Sequence, residues 1–211
     1  AQAEVIVTRN FHDVARGASN ALQVVMKRVE GVRWSNLMRD TATLRTKYGA
    51  DDPLDWNLGV LIALCHALAY AHDQGVLHRD VKPTNVMVGA FGEVYLLDWG
   101  IAAMWGEHRD PDIAHVEDAP IAGTSSYMAP EQLEGIPDAL GPWTDVYLLG
   151  AVLYEVIQGT PPHAGQRESE RRTSPRGRPT PPLGADVPRE LADLVKQSLS
   201  AAPEDRPLSP E

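Results

Sequence analysis

The feature that most restricts this chain is the run Leu77-His78-Arg79-Asp80-Val81-Lys82-Pro83-Thr84-Asn85, followed by Asp98-Trp99-Gly100 and then by Ala129-Pro130-Glu131. Between the first two blocks, Val86 to Val88 and Val94 to Leu97 read as short β-rich runs around the turn Ala90-Phe91-Gly92. The charged and amide residues of both blocks therefore fall on loops at strand ends. A fold that accepts this text has to hold polar loops in place with apolar elements from elsewhere in the chain.

Those elements are mostly helical. Asp51-Asp52-Pro53 is a helix-start signal, and Leu54, Leu58, Leu61, Leu64, Leu68 and Ala71 recur at helical spacing until Gly75 ends the run. Trp34 to Tyr48, Asp145 to Gln158 and Glu190 to Leu199 are predicted as further helices. Near the start, Glu4 to Phe11 and Ala21 to Arg28 are β-rich runs separated by His12 to Asn20, the pattern of an antiparallel hairpin. Gly159 to Pro182 carries five arginines (Arg167, Arg171, Arg172, Arg176 and Arg178) with little apolar periodicity, and reads as a solvated loop or a frayed helix. The expected class is α+β, mostly α.

Composition narrows the partners. The 211 residues are 43% hydrophobic and 23% charged, which is an ordinary globular balance able to bury a core. A formal net charge of -10 argues against general binding to nucleic acid or an anionic membrane, because a phosphate surface would be repelled. The strongly apolar stretch Val146 to Ile157 contains Glu155 and is too short to cross a bilayer, so no membrane contact is expected within this chain. The one cysteine, Cys65, lies in an apolar helical run, has no partner for an internal disulfide, and fits a reducing cytoplasm. The chain starts at Ala1 without a signal-peptide pattern and ends at Ser209-Pro210-Glu211, which reads as a helix opening; both ends read as those of a partial chain.

Phosphoryl transfer needs a carboxylate beside the attacking hydroxyl, cations across the phosphates, and alignment. Asp80, Lys82, Asn85 and Asp98 supply such a set. Asp80 would take or orient the hydroxyl proton, and Lys82 would place its ammonium on the transferred group. Asn85 and Asp98 offer the hard oxygens that magnesium prefers. Taken singly, Asp80 reads as a turn residue, Asn85 as a loop cap and Asp98 as a strand-end turn. Together, in this order, they read as chemistry.

The text LHRDVKPTNVMVG, LLDWGIA, GTSSYMAPEQ, TDVYLLGAVLYEV and PEDRP resembles the eukaryotic-like serine/threonine protein kinases of bacteria, over residues from about Glu4 to the end. The resemblance implies a kinase-like fold, ATP and Mg2+ as cofactors, and a protein substrate. It implies Asp80, Lys82 and Thr124 as catalytic residues, with Thr124 bonding near Asp80 and Lys82. Asn85 and Asp98 would be the metal ligands, and Met26, Arg28, Val29 and Met87 would surround adenine. It also implies a buried Glu131–Arg206 ion pair, and Asp145 holding the catalytic loop from below.

By the same resemblance, residues 1–30 are a remnant of the small lobe, with hairpin strands and hinge, and residues 31–211 are the large lobe. Val24-Val25-Met26-Lys27 imitates the strand that carries the ATP lysine, but Lys27 is followed too closely by the hinge-like Val29-Glu30-Gly31. No glycine-rich loop precedes it, so this chain by itself is expected to bind ATP weakly. Trp99 stands where the family usually has phenylalanine, and is expected to pack on His78. No Ser, Thr or Tyr lies between Ile101 and Ala122, so Arg79 is expected to pair with an acid such as Glu117 or Asp118 in place of a phosphate. The alternatives are a kinase-like scaffold without catalysis and a small-molecule phosphotransferase. The Ala129-Pro130-Glu131 segment and Arg206 count against the latter.

Overall fold

A computed structural model describes residues 14–16, 22–24, 29–166, 168–173 and 180–210. In chain order these form β1 (Val14–Arg16), β2 (Leu22–Val24), β3 (Val32–Arg33), α1 (Trp34–Leu37), α2 (Thr41–Tyr48), α3 (Pro53–Asp73), β4 (Val76–Leu77), β5 (Val86–Val88), β6 (Val94–Leu96) and β7 (Ala103–Met104). Then follow α4 (Pro130–Glu134), α5 (Pro142–Gln158), α6 (Glu168–Thr173) and α7 (Arg189–Ser198). The architecture is helical with short antiparallel ribbons, as the periodicity predicts. β3, β5 and β6 make one sheet, β4 pairs with β7, and β1 pairs with β2.

Helix α3 is the central post. Asp52 caps it by accepting from Leu54 N at 2.8 Å, with Pro53 in the first turn where its missing N–H costs nothing. Its mean hydropathy of 1.4 over 18 residues makes it, rather than Val146–Ile157, the helix among the described residues that is apolar enough in length and composition to span a bilayer. Its face is nonetheless built into the core: Leu64 and Leu68 are fully buried beside Leu148, Val152 and Leu153 of α5. Buried Asn57 locks the start of the helix to α1, accepting from Trp34 Nε1 at 2.7 Å and donating to Met38 O at 3.1 Å. On the far side of α5, Gly150 is the point of closest approach. A Cβ there would lie 2.6 Å from the Ser198 Cβ of α7, so a larger residue would push the two helices apart.

Several expectations are corrected. The segment Trp34–Tyr48 is two helices, because Asp40 accepts from Thr43 N at 3.0 Å and opens a new one. The hairpin's first strand is Val14–Arg16, inside the stretch expected to turn, and it pairs Val14 with Val24 and Arg16 with Leu22. Residues 4–11 lie outside the described residues, as does Glu211 of the helix opening. Within Gly159–Pro182, residues 168–173 are helical, and Arg171 is buried rather than solvated.

The base of the lobe is fixed by an ion pair with no access to water. Arg206 Nη1 and Nη2 donate to Glu131 Oε1 and Oε2 at 2.7 and 2.9 Å, and both side chains are 0% exposed. Thr144 Oγ1 adds a donor to Glu131, and Trp143 O and Ser200 O accept from Arg206. A buried pair satisfied this fully is stable as a pair and costly to halve. Arg206→Met should lower the free energy of unfolding by about 3–5 kcal/mol in urea titration, while Glu131→Leu combined with Arg206→Met should recover much of that loss.

Beside this pair, the Tyr147 hydroxyl and His163 Nε2 lie 2.7 Å apart with their rings stacked. Burial, helped by the nearby Arg171 charge, pushes the His163 imidazole from 6.5 down to about 4. Between those pH values the unfolded chain binds a proton that the folded chain refuses. Stability therefore falls as pH falls through that window, by roughly 3 kcal/mol in total. In His163→Gln the slope of unfolding free energy between pH 6.5 and 4 should flatten.

Candidate active site

The polar loop that follows β4 is set from beneath by one carboxylate. Asp145, in the first turn of α5 and fully buried, accepts from His78 N at 2.9 Å, Arg79 N at 2.8 Å and His72 Nε2 at 2.8 Å. Burial alone would raise its pKa, but the His72 hydrogen bond and charge and the loop N–H groups outweigh it and hold the carboxyl below 3.8. The loop is bent sharply there. Arg79 has φ of 71°, a left-handed conformation that costs a non-glycine residue on the order of 1–2 kcal/mol. Its N–H is taken by Asp145 and its carbonyl by Gln132 Nε2 at 2.8 Å, so both sides of the strained residue are fastened.

His78 carries the bend to the next layer. Asp80 N donates to its Nδ1 at 3.2 Å, which leaves the proton on Nε2 to be given to Leu97 O at 3.0 Å. Complete burial lowers the imidazole pKa and keeps this neutral tautomer. One ring thus links the backbone of Asp80 to the residue before Asp98. A second link, Leu97 N to Asn85 O at 2.8 Å, ties the same strand end to Asn85. Trp99 packs edge-on against His78 with ring centroids 4.6 Å apart, as expected, and donates its indole N–H to Leu96 O at 3.0 Å.

At the mouth of the loop the Asp80 carboxylate collects three donors. Thr124 Oγ1 donates to Oδ1 at 2.7 Å, while Lys82 Nζ and Asn85 Nδ2 donate to Oδ2 at 2.6 and 3.0 Å. Lys82 Nζ also reaches Thr124 Oγ1 at 2.5 Å, which closes a triangle of carboxylate, ammonium and hydroxyl. Asp80 and Lys82 keep 11% and 19% of their side chains exposed, enough to meet a ligand and little enough to strengthen their electrostatics. Because Asn85 spends its Nδ2 on the Asp80 carbonyl and carboxylate, its Oδ1 is left as an acceptor. Asp98, at φ of 63°, is the other left-handed non-glycine residue of the described chain. The donor set, one amide oxygen and one carboxylate, suits a hard cation such as magnesium.

The segment opposite, residues 123–128, belongs to no helix or sheet: it turns on Thr124 O, which accepts from Tyr127 N and Met128 N, and side chains hold the rest. Gly123 has φ of 137°, which strains any residue with a Cβ, and a Cβ there would also crowd Met128 Cγ at 3.0 Å and Arg79 O at 3.2 Å. Tyr127 donates its hydroxyl to Glu155 Oε2 at 2.6 Å. Gln132, which the motif reading passes over, accepts from Ala129 N and donates to Arg79 O, joining this strand to the bend at Arg79. Its position three residues into a helix start was the available signal.

Arg79 does not pair with Glu117 or Asp118. Its guanidinium donates to Ile101 O at 3.1 Å and Pro120 O at 2.6 Å, leaving Nε buried without a partner, while Glu117 lies 3.7 Å from Arg109 and 3.4 Å from His115. Two carbonyl dipoles reach the buried guanidinium where the acids remain at the surface. Of the residues expected around adenine, Met26 and Arg28 lie outside the described residues. Val29 precedes β3, whose Arg33 pairs with Met87 of β5, so the hinge-like segment lies alongside the strand that carries Met87.

Residues 9–211 match the protein kinase domain. The chain is 33% identical over 211 residues to the serine/threonine-protein kinase PknD of Protochlamydia amoebophila, covering 88% of this chain and 21% of that protein. It is 33% identical over 186 residues to the serine/threonine-protein kinase PknB of Mycobacterium tuberculosis, covering 87% and 28%. For PknB of Mycobacterium leprae the figures are 36% over 174 residues, covering 79% and 27%. The chain thus spans roughly a quarter of the length of these relatives. With the match running through the loop, the strand ends and the buried ion pair alike, the chain belongs to the protein kinase family, as a domain of the bacterial serine/threonine type.

Proposed function

We propose that this domain transfers the γ-phosphoryl group of ATP to serine or threonine hydroxyls of a protein substrate, with Asp80, Lys82 and Thr124 as the catalytic residues. The observation that carries this reading is the triangle in which the Asp80 carboxylate meets both the Lys82 ammonium and the Thr124 hydroxyl. An acceptor hydroxyl entering beside Thr124 would find the Asp80 carboxylate ready to take its proton as the oxygen attacks. Lys82, already at the same place, supplies positive charge where the transferred oxygens gather it. Asn85 Oδ1 and the Asp98 carboxylate would hold magnesium, which when bound neutralises phosphate charge. Met26, Arg28 and Val29, from a hinge at the end of a small-lobe remnant spanning residues 1–30, would line adenine over Met87, and residues 31–211 would form the large lobe.

The acidic balance and the single cysteine, whose thiol burial pushes up to about 11, favour a cytoplasmic domain whose partner is a protein. A small-molecule acceptor is disfavoured by the 123–128 strand and by the Glu131–Arg206 pair beneath it, because both serve a surface for an extended chain. Asp80→Asn in the intact enzyme should keep the fold but lower kcat for a protein acceptor by a factor of about 1,000 or more. Transfer that survives this change would refute the assignment of the base.

Arg79 offers a second test. With Nη1 and Nη2 of its guanidinium given to Ile101 O and Pro120 O, and no hydroxyl residue between Ile101 and Ala122, activity should not require a phosphate in that segment. Phosphatase-treated enzyme, verified by mass spectrometry, should transfer at the untreated rate. A required phosphate on Thr124, Ser125 or Ser126 would count against this.

A further inference from the structure

The lobe buries a second arginine near Tyr147, and it is held quite differently from the first. Arg206 is matched by the carboxylate of Glu131. Arg171, on α6, is 4% exposed and donates through Nη1 to Ser125 O and through Nη2 to Met128 O at 2.8 Å. Burial lowers the arginine's pKa. Removing a guanidinium from water is costly, and carbonyl dipoles return only part of that cost. A chain that needed only to fill this space would do better with an apolar residue. What the guanidinium supplies is its fork: two N–H directions that fix two carbonyls of one short strand relative to each other.

That strand is the one facing Asp80. Ser125 follows Thr124, whose hydroxyl sits on Asp80 and Lys82, and Met128 N, like Tyr127 N, bonds back to Thr124 O at 3.1 and 2.9 Å. Arg171 therefore grips the turn that follows Thr124 at two points, inside it at Ser125 O and just after it at Met128 O. Its own helix packs against α4, which begins two residues after Met128.

We propose that Arg171 is a positioning residue for acceptor binding: it sets the path of residues 125–128, and so the affinity for the protein substrate, without touching substrate or phosphate. This rests on the reading of that strand as the acceptor surface. Sequence around Arg171 gives no hint of it, since the residue stands among other arginines and glutamates in a stretch that reads as solvated.

The experiment compares Arg171→Lys and Arg171→Met with the unaltered intact enzyme, using one peptide acceptor and varied ATP. Lysine keeps the charge and reaches one carbonyl; methionine keeps the apolar stem alone. Arg171→Met should raise KM for the peptide about tenfold or more, with kcat at saturating peptide and KM for ATP nearly unchanged, and Arg171→Lys should fall between. Hydrogen exchange provides a readout independent of turnover. The amides of Tyr127 and Met128 should exchange faster in Arg171→Lys while those of α5 keep their protection. An unchanged peptide KM with unchanged exchange at Tyr127 and Met128 would overturn the proposal. So would a loss spread equally over kcat, both KM values and thermal stability, which marks a residue that only supports the fold. Should Asp80→Asn, assayed in parallel, retain transfer, the kinase reading itself fails, and the exchange data alone then decide whether Arg171 holds this strand.

Discussion

Everything at the site depends on a carboxylate that no substrate can reach. Asp145 projects from the first turn of α5 into a fully buried position and spends its oxygens on two consecutive backbone N–H groups, those of His78 and Arg79, and on His72. A buried anion is tolerated only when donors replace its hydration, and here the donors are the loop that has to be shaped. The solvation requirement of one side chain is therefore met by forcing a left-handed bend at Arg79. Were the bend to relax, Asp145 would lose a donor in a place that water cannot enter. Strain in the loop and desolvation of the acid hold each other in place.

From that bend the geometry spreads by short steps. His78, neutral because it is buried, can accept from Asp80 N only if it donates from the other nitrogen, and that proton goes to Leu97 O. The strand end carrying Asp98 is thereby placed relative to Asp80 by a ring that takes no part in chemistry. Leu97 N returns the connection to Asn85. Asp80, Asn85 and the strand end leading to Asp98 are thus tied into one hydrogen-bonded frame, although Asp98 is remote from Asp80 in sequence. Substituting Trp for the usual phenylalanine at position 99 does not disturb this frame, because the larger ring keeps its edge on His78 and satisfies its added N–H at Leu96 O.

What could be read from the sequence was what is encoded locally. Asp52 before Pro53, Gly75 after leucines at helical spacing, and the short β-rich runs on either side of Ala90-Phe91-Gly92 each specify an element within a few residues, and each appears as predicted. Asp80, Lys82 and Asn85 come together because they share one loop, and Thr124 joins them as the family resemblance implies. The failures are of two kinds. Asp40 reads as an exposed helical acid until its side chain is seen capping Thr43, and that local competition divides one periodic stretch into two helices. Gln132, His72 and Arg171 were missed because their partners, Arg79 O, Asp145 and the Ser125–Met128 carbonyls, are distant in sequence, and nothing in the flanking residues distinguishes a polar group destined for burial from one facing water.

The strand from Gly123 to Met128 shows why such residues accumulate here. It has no ladder or helix of its own to fix its backbone, yet it must present one hydroxyl to Asp80 within hydrogen-bond distance. Ordering irregular backbone costs on the order of 1–2 kcal/mol per residue, which has to be offset by contacts made from outside. Those contacts arrive from different elements: Lys82 and Asp80 from the loop after β4, Glu155 from α5, and Arg171 from α6, while Gln132 from α4 fastens the neighbouring Ala129 and the bend at Arg79. A segment built this way is held from several directions where it meets the Asp80 carboxylate. None of these fastenings uses the side chains of Ser125 and Ser126; Arg171 takes the backbone carbonyl of Ser125 instead.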